Sequence, residues 1–300
     1  MRLRPLTLVR AKPAIPVGGE PIVRRITRRL AEAGVTEVVL NLHYLPATLT
    51  AVMGDGSDLG VRARYSWEQP VVLGSAGGPR LALPILGADT FLIVNGDTLT
   101  DVDIDELSAA HAAASSRSSD SSRALVTLAL IPNDEPLRYG GILLDERSRV
   151  TGFVRRGPAA SGSFHFVGVQ VASAEAFRWL PVGEPVDSIG KAYDRLIADF
   201  PGSIAGFVSH AGFWDIGTVA DYVATSRVLG GDGAGHNIDI DPSARVTGTI
   251  LWDDIDIGRD SVIDDCIVTD RVSIPSGSVY RRSILMRGPG GVTAVPIDQA

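Results

Sequence analysis

The chain has 300 residues, 45% of them hydrophobic, with 28 basic against 35 acidic side chains and a formal net charge of −7. That length suits one large domain or two smaller ones with a sizeable core, and the acidic balance argues against a general nucleic-acid-binding role. A single cysteine, Cys266, excludes an internal disulfide and fits a reducing compartment; with no apolar run of membrane-spanning length and no secretory signal pattern, the cytoplasm is the expected location.

Arg2, Arg4, Arg10 and Lys12 crowd the start with no acidic residue among them. This charge suits a small polyphosphate ligand, and a solvated basic end is the plainer alternative. Pro5, Pro13 and Pro16 predict an extended loop here rather than a helix. Pro21 then sits where a first helical turn tolerates it; Ile22, Ile26, Leu30 and Ala33 recur at helical spacing, and Gly34 caps the end. Residues 38–42 read as a strand, 45–53 as a helix and 61–65 as an edge strand. Glu68 follows, and Leu73-Gly74-Ser75-Ala76-Gly77-Gly78 reads as a small-residue loop that a flat base or a phosphate can approach closely. A short helix is expected over 79–86.

Phe91-Leu92-Ile93-Val94 reads as a strand buried on both faces. The Asn95-Gly96-Asp97-Thr98 that follows puts a carboxylate at the C-terminal end of a buried parallel strand, where open α/β sheets bind ligands. Alone, this fits an ordinary turn with a solvated Asp equally well. Glu68, the small-residue loop and Asp97 within one βαβ-sized stretch favour a nucleotide site.

Residues 102–114 are helix-like, and the Ser/Arg tract 115–123 reads as a mobile surface loop. A strand is expected over 124–131, a hairpin over 139–153 with its turn at 146–148, a strand over 164–171, a helix over 189–198 and a strand over 204–208. The last leads into Phe213-Trp214-Asp215-Ile216-Gly217-Thr218 and a helix over 221–229. This alternation predicts an α/β sheet, mostly parallel. Gly-rich residues 229–235 read as a linker. Beyond it, β-branched residues recur at a rhythm of about six, which reads as coils of a β-helix. A small β-sandwich is the alternative; the pairs Ile255/Ile257 and Val272/Ile274, each followed by turn residues, favour the β-helix. The Gly/Pro-rich tail after Met286 is expected to be disordered.

Asp97 and Asp215 each follow an apolar strand and precede small residues. Such a pair could hold Mg²⁺, which needs only one or two carboxylates and keeps several waters. An accidental pair of strand-end Asp residues fits the residues alone as well.

Arg2-Leu3-Arg4-Pro5-Leu6-Thr7 followed by Lys12-Pro13 resembles the signature of sugar-1-phosphate nucleotidyltransferases, and residues 73–78, Asn95-Gly96-Asp97 and Trp214-Asp215-Ile216-Gly217-Thr218 match in the family's order. Asn41-Leu42-His43 and Gly54-Asp55-Gly56 look most like its mannose-1-phosphate guanylyltransferase and N-acetylmuramate-1-phosphate uridylyltransferase branches. The resemblance implies a Rossmann-like, mostly parallel sheet over residues 1–229, a short left-handed β-helix of hexapeptide repeats over 237–287 and a tail over 288–300. It implies the reaction of a nucleoside triphosphate with a sugar 1-phosphate, giving an NDP-sugar and pyrophosphate with Mg²⁺. Carried over by position, Arg2 and Lys12 contact the triphosphate and reacting phosphates. Glu68 and Gly74, Ser75, Gly77 and Gly78 line base and ribose, Asp97 and Asp215 hold the metal, and Gly168 approaches the sugar.

There are three departures. The family's first strand and Gly-rich loop should precede Arg2, so an upstream stretch of about fifteen to twenty residues is expected. Arg155-Arg156 replaces the usual Glu-Lys, so Arg156 keeps a phosphate-binding charge and the acid is lost. Val167 replaces a polar residue before Gly168. The alternative reading is a catalytically weak or inactive sugar-nucleotide-binding regulatory subunit on the same fold. A nicotinamide-dependent dehydrogenase fits the α/β pattern only and lacks G-x-G-x-x-G after a first strand. Neither nucleic acid nor membrane is an expected partner; a homo-oligomer through the β-helix is.

Overall fold

Apolar residues at helical spacing build the first long helix, α1 (Ile22–Glu32), with Ile22, Val23 and Thr27 buried. Gly34 ends it at a φ of +82°. The Gly34 amide bonds to Ala31 O and the Val35 amide to Leu30 O, so the last carbonyls are satisfied. The computed structural model describes residues 3–116, 123–230 and 233–299. Arg2 lies outside the described residues, as do residues 117–122 of the Ser/Arg tract. The chain divides into two compact units, one of Met1–Ile26, Leu45–Met53 and Trp214–Ala300, the other of Thr27–Tyr44 and Gly54–Phe213.

In the second unit, β1 (Glu37–Leu42) and β2 (Arg62–Trp67) pair in parallel from Glu37↔Arg62 to Leu42↔Trp67. Helix α2 (Pro46–Met53), between them in sequence, belongs to the first unit. After β2 come α3 (Gly74–Leu86), β3 (Thr90–Val94) and α4 (Ile104–Ser115). The six-stranded sheet comprises β3, β4 (Val126–Pro132), β5 (Gly141–Leu144), β6 (Val150–Val154), β7 (Phe164–Ser173) and β8 (Ile204–Val208). Strand β7 is its hub, antiparallel to β3, β4 and β5, while β4 and β8 pair in parallel. Period-two alternation along β7 serves two cores. Val167, Val169 and Val171 join Val102 and Leu107 on one face, and Phe164, Phe166 and Ala172 join Leu128, Leu130 and Phe177 on the other. The second core also receives Tyr193 and Leu196 of helix α5 (Tyr193–Asp199).

Several expectations are corrected. Strand β3 packs a core on each face, Phe91 and Ile93 on one and Leu92 and Val94 on the other, but is only half-buried, and its partner β7 runs antiparallel to it. Strands β5 and β6 are joined by a tight turn that reverses strand direction, and β5 lies between β6 and β7, antiparallel to both. The 139–153 hairpin forms as expected, with Asp145 Oδ1 accepting from the Arg147 and Arg149 amides. The opening segment is not a plain loop. It holds a helical turn at Leu6–Val9 and a 3₁₀ turn at Lys12–Ala14, since Pro5 and Pro13 occupy first-turn positions that need no amide donor. Helix α5 starts four residues later than expected, because Ile189 is extended and Gly190 has a φ of +88°.

In the first unit, helix α6 (Val219–Leu229) precedes a parallel β-helix. Its three sheets repeat with a step of 17 residues: Ile238↔Ile255, Val262↔Val279 and Ile250↔Ile267↔Ile284 are in register. Ile255, Ile257, Ile263, Val268, Val272 and Ile274 form its buried core. Corners recur with the same step: Asn237, Asp254 and Arg271 share a positive φ, as do Gly248, Asp265 and Arg282. Asn, Asp and Gly tolerate that left-handed backbone most readily. The tail is also corrected. Ser283–Gly288 and Gly291–Pro296 form an antiparallel hairpin on the last coil, whose edge supplies the backbone partners. Among the described residues, no helix is long and apolar enough to cross a membrane.

Candidate active site

In the second unit, β2 ends at Trp67 and the chain turns through residues 68–73 into α3. Glu68 is 5% exposed and fully engaged. Its Oε1 accepts from Asn41 Nδ2 at 2.7 Å and its Oε2 from the Leu73 amide at 2.7 Å. Its carbonyl lies 2.8 Å from His43 Nδ1. The parallel register of β1 and β2 places Asn41 and His43 beside it. Glu68 therefore ties the β1 end to the start of α3, and both its oxygens have protein donors.

The stretch expected as a loop is the first turn and a half of α3, which begins at Gly74 rather than at 79. Small residues there admit backbone. A Cβ on Gly78 would stand 2.5 Å from Glu68 Oε1, one on Gly77 2.5 Å from Glu184 O, and one on Gly74 2.9 Å from Val186 O. The Ala76 and Gly77 amides both donate to Val186 O, and Ser75 Oγ accepts from the Ser188 amide at 2.8 Å. The partner of this glycine-rich turn is thus the chain's own segment 184–188, which sequence reasoning missed. Its only signal was a Pro/Gly-rich composition.

Asp97 sits in the turn after β3 and is half-buried. Gly168 lies against that turn, at a bulge in β7. With a φ of +85°, its Cβ would stand 2.8 Å from Thr98 Oγ1 and 3.0 Å from Asn95 Nδ2. The Asn95 amide donates to Gly168 O at 2.8 Å. The structure so brings Gly168 and the Asp97 turn together. Val167 beside it is fully buried in the core. Arg156 follows β6 and is exposed.

In the first unit, Lys12 opens the 3₁₀ turn at Lys12–Ala14 and is half-buried. Asp215 ends a short strand, Phe213–Asp215. A Cβ on Gly217 would stand 2.9 Å from Asp215 Oδ2 and 3.2 Å from Oδ1, so a larger residue there would crowd the carboxylate. Thr218 then caps α6: its Oγ1 accepts from the Asp221 amide at 3.1 Å, and Asp221 Oδ2 accepts from the Thr218 amide at 3.0 Å. Asp97 and Asp215 fall in different units.

The family profile described as nucleotidyl transferase matches residues 1–229. A mannose-1-phosphate guanylyltransferase of Mycobacterium tuberculosis is 32% identical, over 94% of this chain and 80% of its own length. An N-acetylmuramate alpha-1-phosphate uridylyltransferase of Neisseria meningitidis serogroup B is 36% identical, over 73% of this chain and 89% of its own. The solved structure of HddC from Yersinia pseudotuberculosis superposes with a TM-score of 0.61 at 21% identity, covering 73% of this chain and 89% of that one, a likeness of fold. The chain belongs to the sugar-1-phosphate nucleotidyltransferase family.

As a nucleotidyltransferase the chain has to manage two polyanions, and its carboxylates can be judged against that need. Among the described residues no group of three or more His, Cys, Asp or Glu could hold a metal ion by itself. A catalytic Mg²⁺ does not need such a cage, since it is bound through one or two carboxylates with waters and substrate phosphates. The Asp215 carboxylate, at the end of its short strand beside Gly217, is a donor of that chemistry.

Proposed function

We propose that this nucleotidyltransferase joins GTP and mannose 1-phosphate, giving GDP-mannose and pyrophosphate with Mg²⁺. The observation that carries the guanylyl reading is the M. tuberculosis relation, whose reach over 94% of the chain extends beyond residue 229 into the β-helix. The nucleophile is a phosphate monoester, already anionic at neutral pH, so no residue has to act as general base. The protein's task is to hold the reactants in line and to neutralise charge. Lys12 and Arg2 are assigned to the phosphates, and Arg156 to the sugar phosphate, where its planar fork suits bidentate binding. Asp97 and Asp215 would hold Mg²⁺; when bound, the ion supplies charge neutralisation at the departing pyrophosphate. Glu68, with both oxygens taken, acts through the 68–73 turn, fixing the start of α3 against which base and ribose lie. Gly168 admits the sugar close to the backbone. The buried Val167 offers it no polar contact. A homo-oligomer through the β-helix belongs to the same proposal.

Pyrophosphate release tests this with GTP or UTP against mannose 1-phosphate or N-acetylmuramate 1-phosphate. The GTP and mannose 1-phosphate pair should exceed the others in kcat/KM, and Asp97→Asn should lower kcat on the order of 100-fold with the fold retained. Preference for UTP with the muramate would replace the guanylyl assignment.

A further inference from the structure

Arg10 belongs to the basic opening segment, yet its side chain is 8% exposed and its guanidinium is spent within the protein. Nε and Nη2 bind the two oxygens of Asp270 at 2.7 and 2.6 Å, and Nη2 also binds Asp253 Oδ2 at 2.5 Å. Nη1 donates to Ala14 O at 3.3 Å, and Cζ lies 5.4 Å above the Trp252 ring. Asp253 and Asp270 are one 17-residue step apart, so they stack on successive coils. Beside them Trp252, fully buried, donates from Nε1 to Tyr222 Oη at 2.9 Å, and Tyr222 Oη donates to Pro16 O at 2.7 Å. Tyr222 is on α6, the helix that follows Asp215. A largely buried network within the first unit thus grips the backbone on both sides of the Lys12–Ala14 turn and the helix after Asp215. Such networks fix a geometry closely because each member orients the next.

We infer that Arg10 is a positioning residue for Lys12, and that the coil carrying Trp252 and Asp253 braces the catalytic opening segment. This rests on the roles proposed above for Lys12 and Asp215. It makes the β-helix part of the catalytic geometry as well as a platform for assembly. Burial alone would lower the Arg10 pKa, but hydrogen bonds and charge from Asp270 and Asp253 outweigh it and raise it, so the cation is permanent.

The test combines Arg10→Met with Asp253→Asn and Asp270→Asn, which removes the cation without stranding two carboxylates. Tyr222→Phe, which deletes only the hydroxyl tie, serves as a milder second variant. Asp256→Asn, whose carboxylate holds Ser273 Oγ elsewhere on the coils, is the control. In the folded triple variant, kcat for pyrophosphate release should fall about tenfold, with KM for GTP changed less than about threefold. Amide exchange over residues 11–17 should quicken about fivefold or more. Tyr222→Phe should move both readouts in the same direction, and the control neither. Unchanged exchange at 11–17, or quickened exchange with wild-type kcat, overturns the inference. If the unmodified protein releases no pyrophosphate with any pair tried, the functional reading fails. Exchange at 11–17 then still decides whether the brace exists.

Discussion

At the scale of single residues, the site is shaped by what glycine leaves out. Gly78 lets the Glu68 carboxylate meet Asn41; a methyl group there would lie 2.5 Å from Glu68 Oε1 and 2.7 Å from Asn41 Nδ2. Gly78→Ala should therefore break that bond and leave a buried carboxylate oxygen short of a donor. The expected loss is about 1–3 kcal/mol of stability, read by urea denaturation, with weaker nucleotide binding read by calorimetry. His111 makes a different residue-level point. It is 4% exposed, its Nδ1 lies 2.9 Å from Thr127 Oγ1, and burial lowers its pKa below the ordinary 6.5. The unfolded chain binds this proton more readily than the folded one, so protonation favours unfolding. The group causes no loss well above pH 6.5, and stability should fall as pH drops through that value towards the lower folded-state pKa. Melting curves between pH 8 and 5 should show a shallower acid decline for His111→Gln; parallel declines would count against this assignment.

At the scale of elements, ends and edges matter most. The last β-helix strand, Ser283–Gly288, would present an open edge without Gly291–Pro296 paired along it from Ser283↔Pro296 to Gly288↔Gly291. An uncovered edge of this kind templates strand addition from another chain. Removing residues 289–300 should give concentration-dependent association in light scattering with little change in turnover; a variant that stays at the wild-type mass would show that the hairpin is dispensable. Residues after Met286 read as structureless because Gly288-Pro289-Gly290-Gly291 breaks any regular pattern, whereas the hairpin is anchored on the preceding coil through Ile267↔Ile284 and Val268↔Leu285. The start of α3 at Gly74 departs from local propensity for a related reason. Three glycines within five residues argue against helix by propensity, and the helix forms because segment 184–188 packs where side chains would be.

At the scale of the molecule, the change of composition near residue 230 does not mark where packing stops. Gly18 lies against Gly230 and Gly233, Tyr222 holds Pro16, and Arg10 is buried against Asp253 and Asp270. A fragment of residues 1–229 would leave Arg10 without both carboxylates and Tyr222 without Trp252. Breaking a buried ion pair from one side costs about 3–5 kcal/mol. The fragment should unfold at clearly lower denaturant than the full chain, with the loss concentrated in the opening segment by hydrogen exchange. Equal midpoints would show that the composition boundary is a true structural one.

What the sequence determined by itself is local and periodic. The strand–helix order, the 146–148 hairpin turn, the Asn95–Thr98 turn and the inward-facing Ile and Val of the β-helix all follow from residues within a few positions of one another. The motif order also identified the family. Only the tertiary structure decided the contacts that give those motifs their setting. Gly168 meets the Asp97 turn because β3 and β7 pair antiparallel, and Asn41 meets Glu68 because β1 and β2 pair in register. By charge alone Arg10 belongs to a basic cluster that suits a polyphosphate or plain solvent; whether a cation faces solvent, substrate or two part-buried carboxylates depends on what distant chain surrounds it, and no local pattern encodes that.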